Sequence, residues 1–375
     1  MSRFEVVLFR PELREAVVHL RRYSYENEFP EAREYLEWKY AANPWIREPL
    51  VYVCLDENGT VCGMRGVYGT AWRTPNGTVV IPCADDLSIA HEHRNSGLLT
   101  TLLRAMLDDL TRRGYPFLIN PSAGRVTTVQ SLAMGWKSVG AMEPVASRGW
   151  RARLRDESRT RLRGRRLVWR LAPRDEGQRA SDPRPFERLD HAGGTSARGG
   201  LTIRVEKTPR VEAMADLAAR SPHDGRIRHV RDADFFAWRF RNPSRDHRFL
   251  FAEKDGRLQG WIALSRHLLN VAPFIPYNFV DWEAGDSAIL AEMLRRALAW
   301  GRFDELGAWS GTMRAEDRAL LESVGFRADV PDLRARGLPC VLLKKLGPAG
   351  DWTLGGLPAT DPKQWDIRMV DSMRG

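Results

Sequence analysis

The sequence is poor in the residues that staple small domains, bind structural metals or span bilayers. It has four cysteines in 375 residues, Cys54, Cys62, Cys83 and Cys340. None stands in CxxC or Cys/His ligand spacing, so neither a disulfide framework nor a metal site is expected, and we read them as reduced core thiols. No apolar run approaches the roughly 20 residues that cross a membrane, and the opening MSRFEVVLFRPELRE lacks the apolar core of a signal peptide. A cytosolic protein without membrane insertion is therefore expected. Lysine is scarce beside arginine: 58 basic residues, most of them arginine, against 48 acidic ones give a net charge of +10. Such a surface attracts polyanions or a phosphate-rich ligand, although a GC-rich coding sequence produces the same bias. Core-forming residues are plentiful, with 43% hydrophobic residues and 13 Trp, enough for two globular domains.

The chain repeats itself. In YLEWKYAANPWIREPLVYVCLDENGTVCGMRGVYG and FFAWRFRNPSRDHRFLFAEKDGRLQGWIALSR, residues Trp38, Lys39, Tyr40, Asn43, Pro44 and Gly63 answer to Trp238, Arg239, Phe240, Asn242, Pro243 and Gly260. Each copy predicts a helix stopped at Asn-Pro, where proline cannot continue it, and then a hairpin turning at Asn58-Gly59 or Asp255-Gly256. The aromatic-basic-aromatic triplets read as helix-packing anchors. Downstream, each copy has a further strand, an amphipathic helix, a short strand, another helix and a glycine followed by an aromatic. The fold class expected is α+β, in two tandem units with mostly antiparallel sheets flanked by helices. We place the units at 1–150 and 201–346, joined by an arginine-rich connecting segment and linker at 151–200. RLVWRL in its early part alternates like a strand. A turn-rich tail, 347–375, has no functional reading.

The stretch DDLSIAHEHRNSGLLTTLL, Asp85 to Leu103, sets a glycine-containing turn against the start of an amphipathic helix. With the order of elements around it, this stretch resembles the acyl-CoA N-acyltransferase superfamily, the GCN5-related or GNAT fold. Arg94-Asn95-Ser96-Gly97-Leu98-Leu99 matches the arginine and first glycine of that family's phosphate-binding turn, and departs from it at Leu99, where a small residue is usual. The resemblance implies that the free N–H groups and dipole of the helix start hold the diphosphate of acetyl-CoA or another acyl-CoA. Asn95 or Ser96 would cap the helix and Arg94 would add a charged contact. Leu87, Ile89, Arg94, Asn95, Ser96, Gly97, Leu98, Leu99 and Thr100 are the expected cofactor-binding residues. A backbone N–H near Ile89 would polarise the thioester carbonyl. The second copy, FVDWEAGDSAILAEMLRRALAW, lacks the motif, and Asp286 there would cap its helix and repel a phosphate, so only the first unit is expected to bind coenzyme A.

The chemistry implied is direct acyl transfer to an amine, without a covalent enzyme intermediate. Asp85 and Asp86 are the candidate bases; adjacent on one strand, they are expected on opposite faces, with one reaching the cleft. His91 and His93 are weaker candidates for proton transfer near neutral pH. Ser131 occupies the position where the family often has a tyrosine acid, so proton donation to the leaving thiolate is in question. Cys83 lacks an activating partner by spacing and reads as core. The acceptor expected is the amine of a small metabolite, amino sugar or peptide-like intermediate. An aminoacyl-tRNA donor, suited to the Arg151–Arg170 stretch, is the second reading, and a non-catalytic acyl-CoA-binding or scaffold protein is the third.

Overall fold

Both predicted hairpins form. Asp255 and Gly256 take φ of +52° and +71°, the two left-handed positions of a tight turn. Asn58-Gly59 lies in a longer turn that Asp56 organises, its Oδ1 accepting the N–H of Asn58 at 2.9 Å and of Thr60 at 2.8 Å. The structure, a computed structural model, describes residues 4–21, 32–149, 182–192, 195–196, 200–268, 276–328, 339–347 and 350–373. The arginine-rich stretch Arg151–Arg170 and its alternating RLVWRL lie outside the described residues.

The first half runs β1 (Glu5–Leu8), α1 (Arg14–Leu20), α2 (Ala32–Leu36, extended by a π-helical turn over Glu37–Ala41), β2 (Leu50–Leu55), β3 (Val61–Thr74) and β4 (Gly77–Ile89). It continues with α3 (Leu98–Arg112), β5 (Phe117–Ala123), α4 (Arg125–Ala133), β6 (Lys137–Ala141) and β7 (Pro144–Arg148). The second half has α5 (Arg184–Asp190), β8 (Thr195–Ser196), β9 (Thr202–Glu206), α6 (Val211–Arg220), β10 (Ile227–His229), α7 (Ala233–Arg239), β11 (Arg245–Lys254) and β12 (Arg257–His267). After these come β13 (Tyr277–Ala284), α8 (Ser287–Gly301), β14 (Glu305–Trp309), α9 (Ala315–Ser323), β15 (Phe326–Arg327) and β16 (Cys340–Lys345). The tail adds β17 (Thr353–Leu354), β18 (Leu357–Pro358) and β19 (Trp365–Asp366).

Two mixed sheets result, one per unit, as expected. Their strand orders are β1-β2-β3-β4-β5-β16-β6 and β15-β7-β14-β13-β12-β11-β9-β8. Sequence reading had each unit made from one continuous stretch, but the halves exchange a strand. β16 enters the first sheet between β5 and β6, and β7 enters the second between β14 and β15. A short strand is indifferent to which chain segment supplies its ladder partners, so no local signal marks the exchange. The segment read as linker includes α5, whose Phe186 and Leu189 are buried in the second core.

The repeat makes a pseudo-symmetric centre. Trp38 and Trp238 stack at 5.2 Å between ring centroids, 13° from parallel. The Trp38 indole N–H donates to the Trp238 carbonyl at 2.6 Å, and Trp238 returns the bond to Trp38 at 2.7 Å. Each buried bond contributes roughly 0.5–1.5 kcal/mol, and neither of these two indole donors is left stranded. The tail is interior structure: Trp365 is fully buried against Trp72, and β19 pairs with β10, which pairs with the end of β3.

Candidate functional site

Strand β4 follows β3 along most of its length but slips at one point. The register runs Met64 to Ser88 and then Gly66 to Asp85, so β4 carries an extra residue there. Asp86 takes φ of +50°, a left-handed conformation that aspartate tolerates better than most residues. A bulge re-aims side chains, and this one corrects the expectation that Asp85 and Asp86 face opposite ways. Both reach Lys39 Nζ, Asp85 at 2.7 Å and Asp86 at 2.9 Å. A strand with strict alternation would have separated them; the additional residue cancels one step of the alternation.

Lys39, the middle residue of the first aromatic-basic-aromatic triplet, was not singled out in the sequence as a site residue. Its side chain is fully buried, between the two carboxylates and Tyr35, whose Oη lies 3.1 Å from Nζ. Burial opposes its charge, but Asp85 and Asp86 outweigh burial and hold its pKa well above the ordinary lysine value. Asp86 is buried and also accepts from Tyr40 Oη at 2.7 Å and Arg21 at 3.5 Å. Burial disfavours its ionised form, yet Arg21, Lys39 and these bonds hold the carboxyl well below the usual carboxylate range. Asp86 is thus a fixed counter-ion, not a base at neutral pH. Asp85 keeps 32% of its side chain exposed and is the accessible carboxylate of the pair. Cys83 is buried beside Tyr68, and burial pushes its thiol up to about 12, in agreement with the core reading.

Beyond the bulge, β4 leaves its other neighbour. It pairs in parallel with β5 at Cys83–Ile119, and no further register pair joins the two strands. Leu87 and Ile89, past the last register pair with β5, stay partly exposed. The strand then delivers a short turn to α3. Gly97, with φ of +85°, is the residue before the helix, and no side chain caps it. This corrects the capping expectation for Asn95 and Ser96: Asn95 is exposed with φ of +64°, and Ser96 Oγ donates instead to the His93 carbonyl at 2.6 Å. Gly97 is required by its backbone angle and not by crowding, since an added Cβ would meet nothing within 4 Å. Arg94 and Thr100 are exposed, Leu99 is half-buried, and Leu98 anchors the helix in the core with Leu102, Met106 and Leu110. The result is an exposed, uncapped helix N-terminus at the mouth of a strand gap, suited to a phosphate-bearing anion.

The remaining candidates are scattered. His91 is exposed, and His93 meets the Phe4 ring edge-on at 5.8 Å. Ser131 is half-buried on α4, where its carbonyl accepts from Met134 at 2.9 Å and Trp136 at 3.1 Å. Among the described residues no group of histidine, cysteine and acidic side chains suits a metal ion, and no helix is long and apolar enough to cross a membrane.

The second unit repeats this frame and closes it. Its helix α8 is capped by Asp286, whose Oδ1 accepts from Ala288 N at 2.8 Å, as the sequence suggested. Asp281, next to the extra residue of β13 and matching Asp86 in the repeat, pairs with Arg231 at 3.1 Å and with Arg368 of the tail at 2.9 Å. The Ile367 N–H donates to Thr312 Oγ1 at 2.9 Å, just after β14. The tail therefore lies between the end of β14 and β13, and Trp282 is buried where its counterpart Leu87 of the first unit is partly exposed.

Comparison with known proteins fits this frame. Residues 8–126 match the acetyltransferase (GNAT) domain model. A GCN5-related N-acetyltransferase from Anabaena variabilis is 11% identical with a TM-score of 0.59, over 92% of this chain and 73% of that one. A tandem GNAT protein from the clavulanic acid biosynthesis pathway is 13% identical with a TM-score of 0.53, over 92% of this chain and 100% of that one. The Saccharomyces cerevisiae N-myristoyltransferase, solved with bound myristoyl-CoA and inhibitors, is 12% identical with a TM-score of 0.54, over 92% of this chain and 80% of that one. None of the curated proteins matches the sequence.

Proposed function

We propose that this chain, a member of the GNAT superfamily by fold in both units and by its domain at residues 8–126, is an acyl-CoA-dependent N-acyltransferase whose first unit binds the donor. The observation that carries the reading is the exposed, uncapped start of α3 at the end of a bulged strand that pairs with β5 at one register position, Cys83–Ile119. The N–H groups of Leu98, Leu99 and Thr100, with Arg94 beside them, suit the donor's diphosphate. Leu87 and Ile89 then lie along the acyl arm, and acetyl-CoA is the donor to test first. The tail in the second gap supports a single donor site per chain.

In the proposed reaction an amine nitrogen attacks the thioester carbon, a C–N bond forms and the C–S bond breaks. The proton shed by the amine passes to Asp85 or to water, and a proton returns to the coenzyme A sulfur. Lys39 holds both carboxylates, but Asp86 is buried while Asp85 is 32% exposed, so Asp85 is the one an ammonium reaches and is oriented by. Ser131 is a poor acid, so water supplies the sulfur's proton. The acceptor is a small amine-bearing molecule.

Native mass spectrometry of the purified chain, with and without added acetyl-CoA, tests the donor. One bound coenzyme A species per chain is expected. No binding, or two equivalent sites, would refute the assignment. A second reading, cofactor binding without transfer, draws on Ser131 at the usual acid position. Release of free thiol from acetyl-CoA in the presence of an amine panel would exclude it.

A further inference from the structure

Arg65 stands on β3 at the bulge, between the paired positions Met64–Ser88 and Gly66–Asp85. It is 6% exposed, and among the described residues its guanidinium makes no hydrogen bond or ion pair; its Nε is buried without a partner. Burial pulls its pKa below the ordinary arginine value, with Asp85, Tyr40 and Asp86 acting in the opposite direction from a distance. The guanidinium nonetheless stays protonated at neutral pH. In register Arg65 pairs with Tyr52 and alternates with Met64 and Gly66, and a Cβ added at Gly66 would meet Tyr40, so Arg65 faces the other side of the sheet from the Lys39 cluster. Both carboxylates are already engaged by Lys39, and Asp86 by Arg21 as well. Arg65, 6% exposed, therefore carries a charge with no bonded partner among the described residues.

A buried charge without a bonded partner is costly to hold, and a partner arriving from outside would relieve that cost. The group that matches a guanidinium in charge, planarity and donor spacing is a carboxylate. We infer that Arg65 receives a carboxylate carried by one of the two substrates, either on the acceptor, which would then be an amino acid or similar zwitterion, or at the far end of the donor's acyl chain. The inference rests on the transferase reading and narrows its substrate class.

Two arms separate the sources. In the donor arm, calorimetry compares acetyl-CoA with succinyl-CoA, which differ by a terminal carboxylate. In the acceptor arm, thiol release from acetyl-CoA is followed with a mixture of L-amino acids and with the mixture of their amides. One arm is expected to favour the carboxylated member by about 10- to 100-fold, the range of a charge-assisted buried contact. Arg65→Gln should abolish that preference and leave coenzyme A affinity unchanged. Equal treatment of both members in both arms by the wild type overturns the inference, as does an equal loss for both members in Arg65→Gln. Failure of the wild type to bind coenzyme A at all refutes the transferase reading instead. Arg65→Met gives an independent check: because Arg65 makes no bond among the described residues, this variant should melt no lower than the wild type, and a fall of several degrees would make Arg65 a structural residue. If neither variant folds, Arg65 is likewise structural and the inference is overturned.

Discussion

Lys39→Met removes the cation that holds Asp85 and Asp86 together, and its cost can be worked from the geometry. Nζ lies 2.7 Å and 2.9 Å from the two carboxylates, and the lysine and Asp86 side chains are essentially buried. Deleting one partner of a buried ion pair costs about 3–5 kcal/mol, because the other charge stays desolvated and uncompensated. Arg21, 3.5 Å from Asp86, keeps part of the compensation, which places the expected loss near the lower end, about 3 kcal/mol. For a folding unit of this size that corresponds to a melting point lower by roughly 6–12 °C. The sign against pH follows from the two shifts. Asp86 is held below its unfolded value, so its contribution is present above about pH 4 and lost as pH falls further; Lys39 is held above its own, so its contribution persists below about pH 10 and is lost above the raised value. The gap between wild type and variant should therefore be flat from about pH 5 to 9 and narrow in acid. Thermal unfolding followed by circular dichroism and by tryptophan fluorescence gives the measurement, repeated in Asp86→Asn and in the double variant. A Lys39→Met protein that melts within a degree of the wild type, or strict additivity of the two substitutions, would refute the ion cluster as a unit.

Three further outcomes are expected. An alanine Cβ at position 66 would fall 1.8 Å from Tyr40 Oη, so Gly66→Ala must displace the tyrosine from Asp86; a loss of about 1–3 kcal/mol in chemical denaturation is expected. His229 is buried in an aromatic cage with Nδ1 donating to the Val230 carbonyl at 2.8 Å, and burial, then Arg231, pulls its pKa down to about 3. The unfolded chain binds that proton below about pH 6.5 and the native chain does not, so stability should fall by about 2 kcal/mol from this residue between pH 7 and 5; His229→Phe should flatten the fall without abolishing it, since His247 is shifted the same way. Arg94→Ala, at an exposed position, should leave the melting point of the free protein unchanged while weakening coenzyme A binding about tenfold and reducing its salt dependence, read by calorimetry at two ionic strengths.

What the sequence determined by itself was whatever local chemistry enforces. Asn-Pro stops a helix, Asp255-Gly256 turns a hairpin, and Leu98, Leu102, Met106 and Leu110 make a core-facing stripe wherever they occur. The duplication was legible for the same reason: two copies of one pattern obey one set of rules, and Trp38 and Trp238 meet because each copy presents the same anchor. The glycine turn before α3 was legible as well, since only a residue at ease with positive φ starts the helix there. Tertiary structure alone decided the rest, because each remaining feature depends on partners distant in the chain. The bulge that turns Asp85 and Asp86 to one side is set by strand register, which composition does not encode. Lys39 became a site residue only when the fold carried it to carboxylates 46 and 47 positions away. The exchange of β7 and β16, and the tail in the second gap, arise from packing between halves whose ladders and buried charges accept any partner of the right geometry.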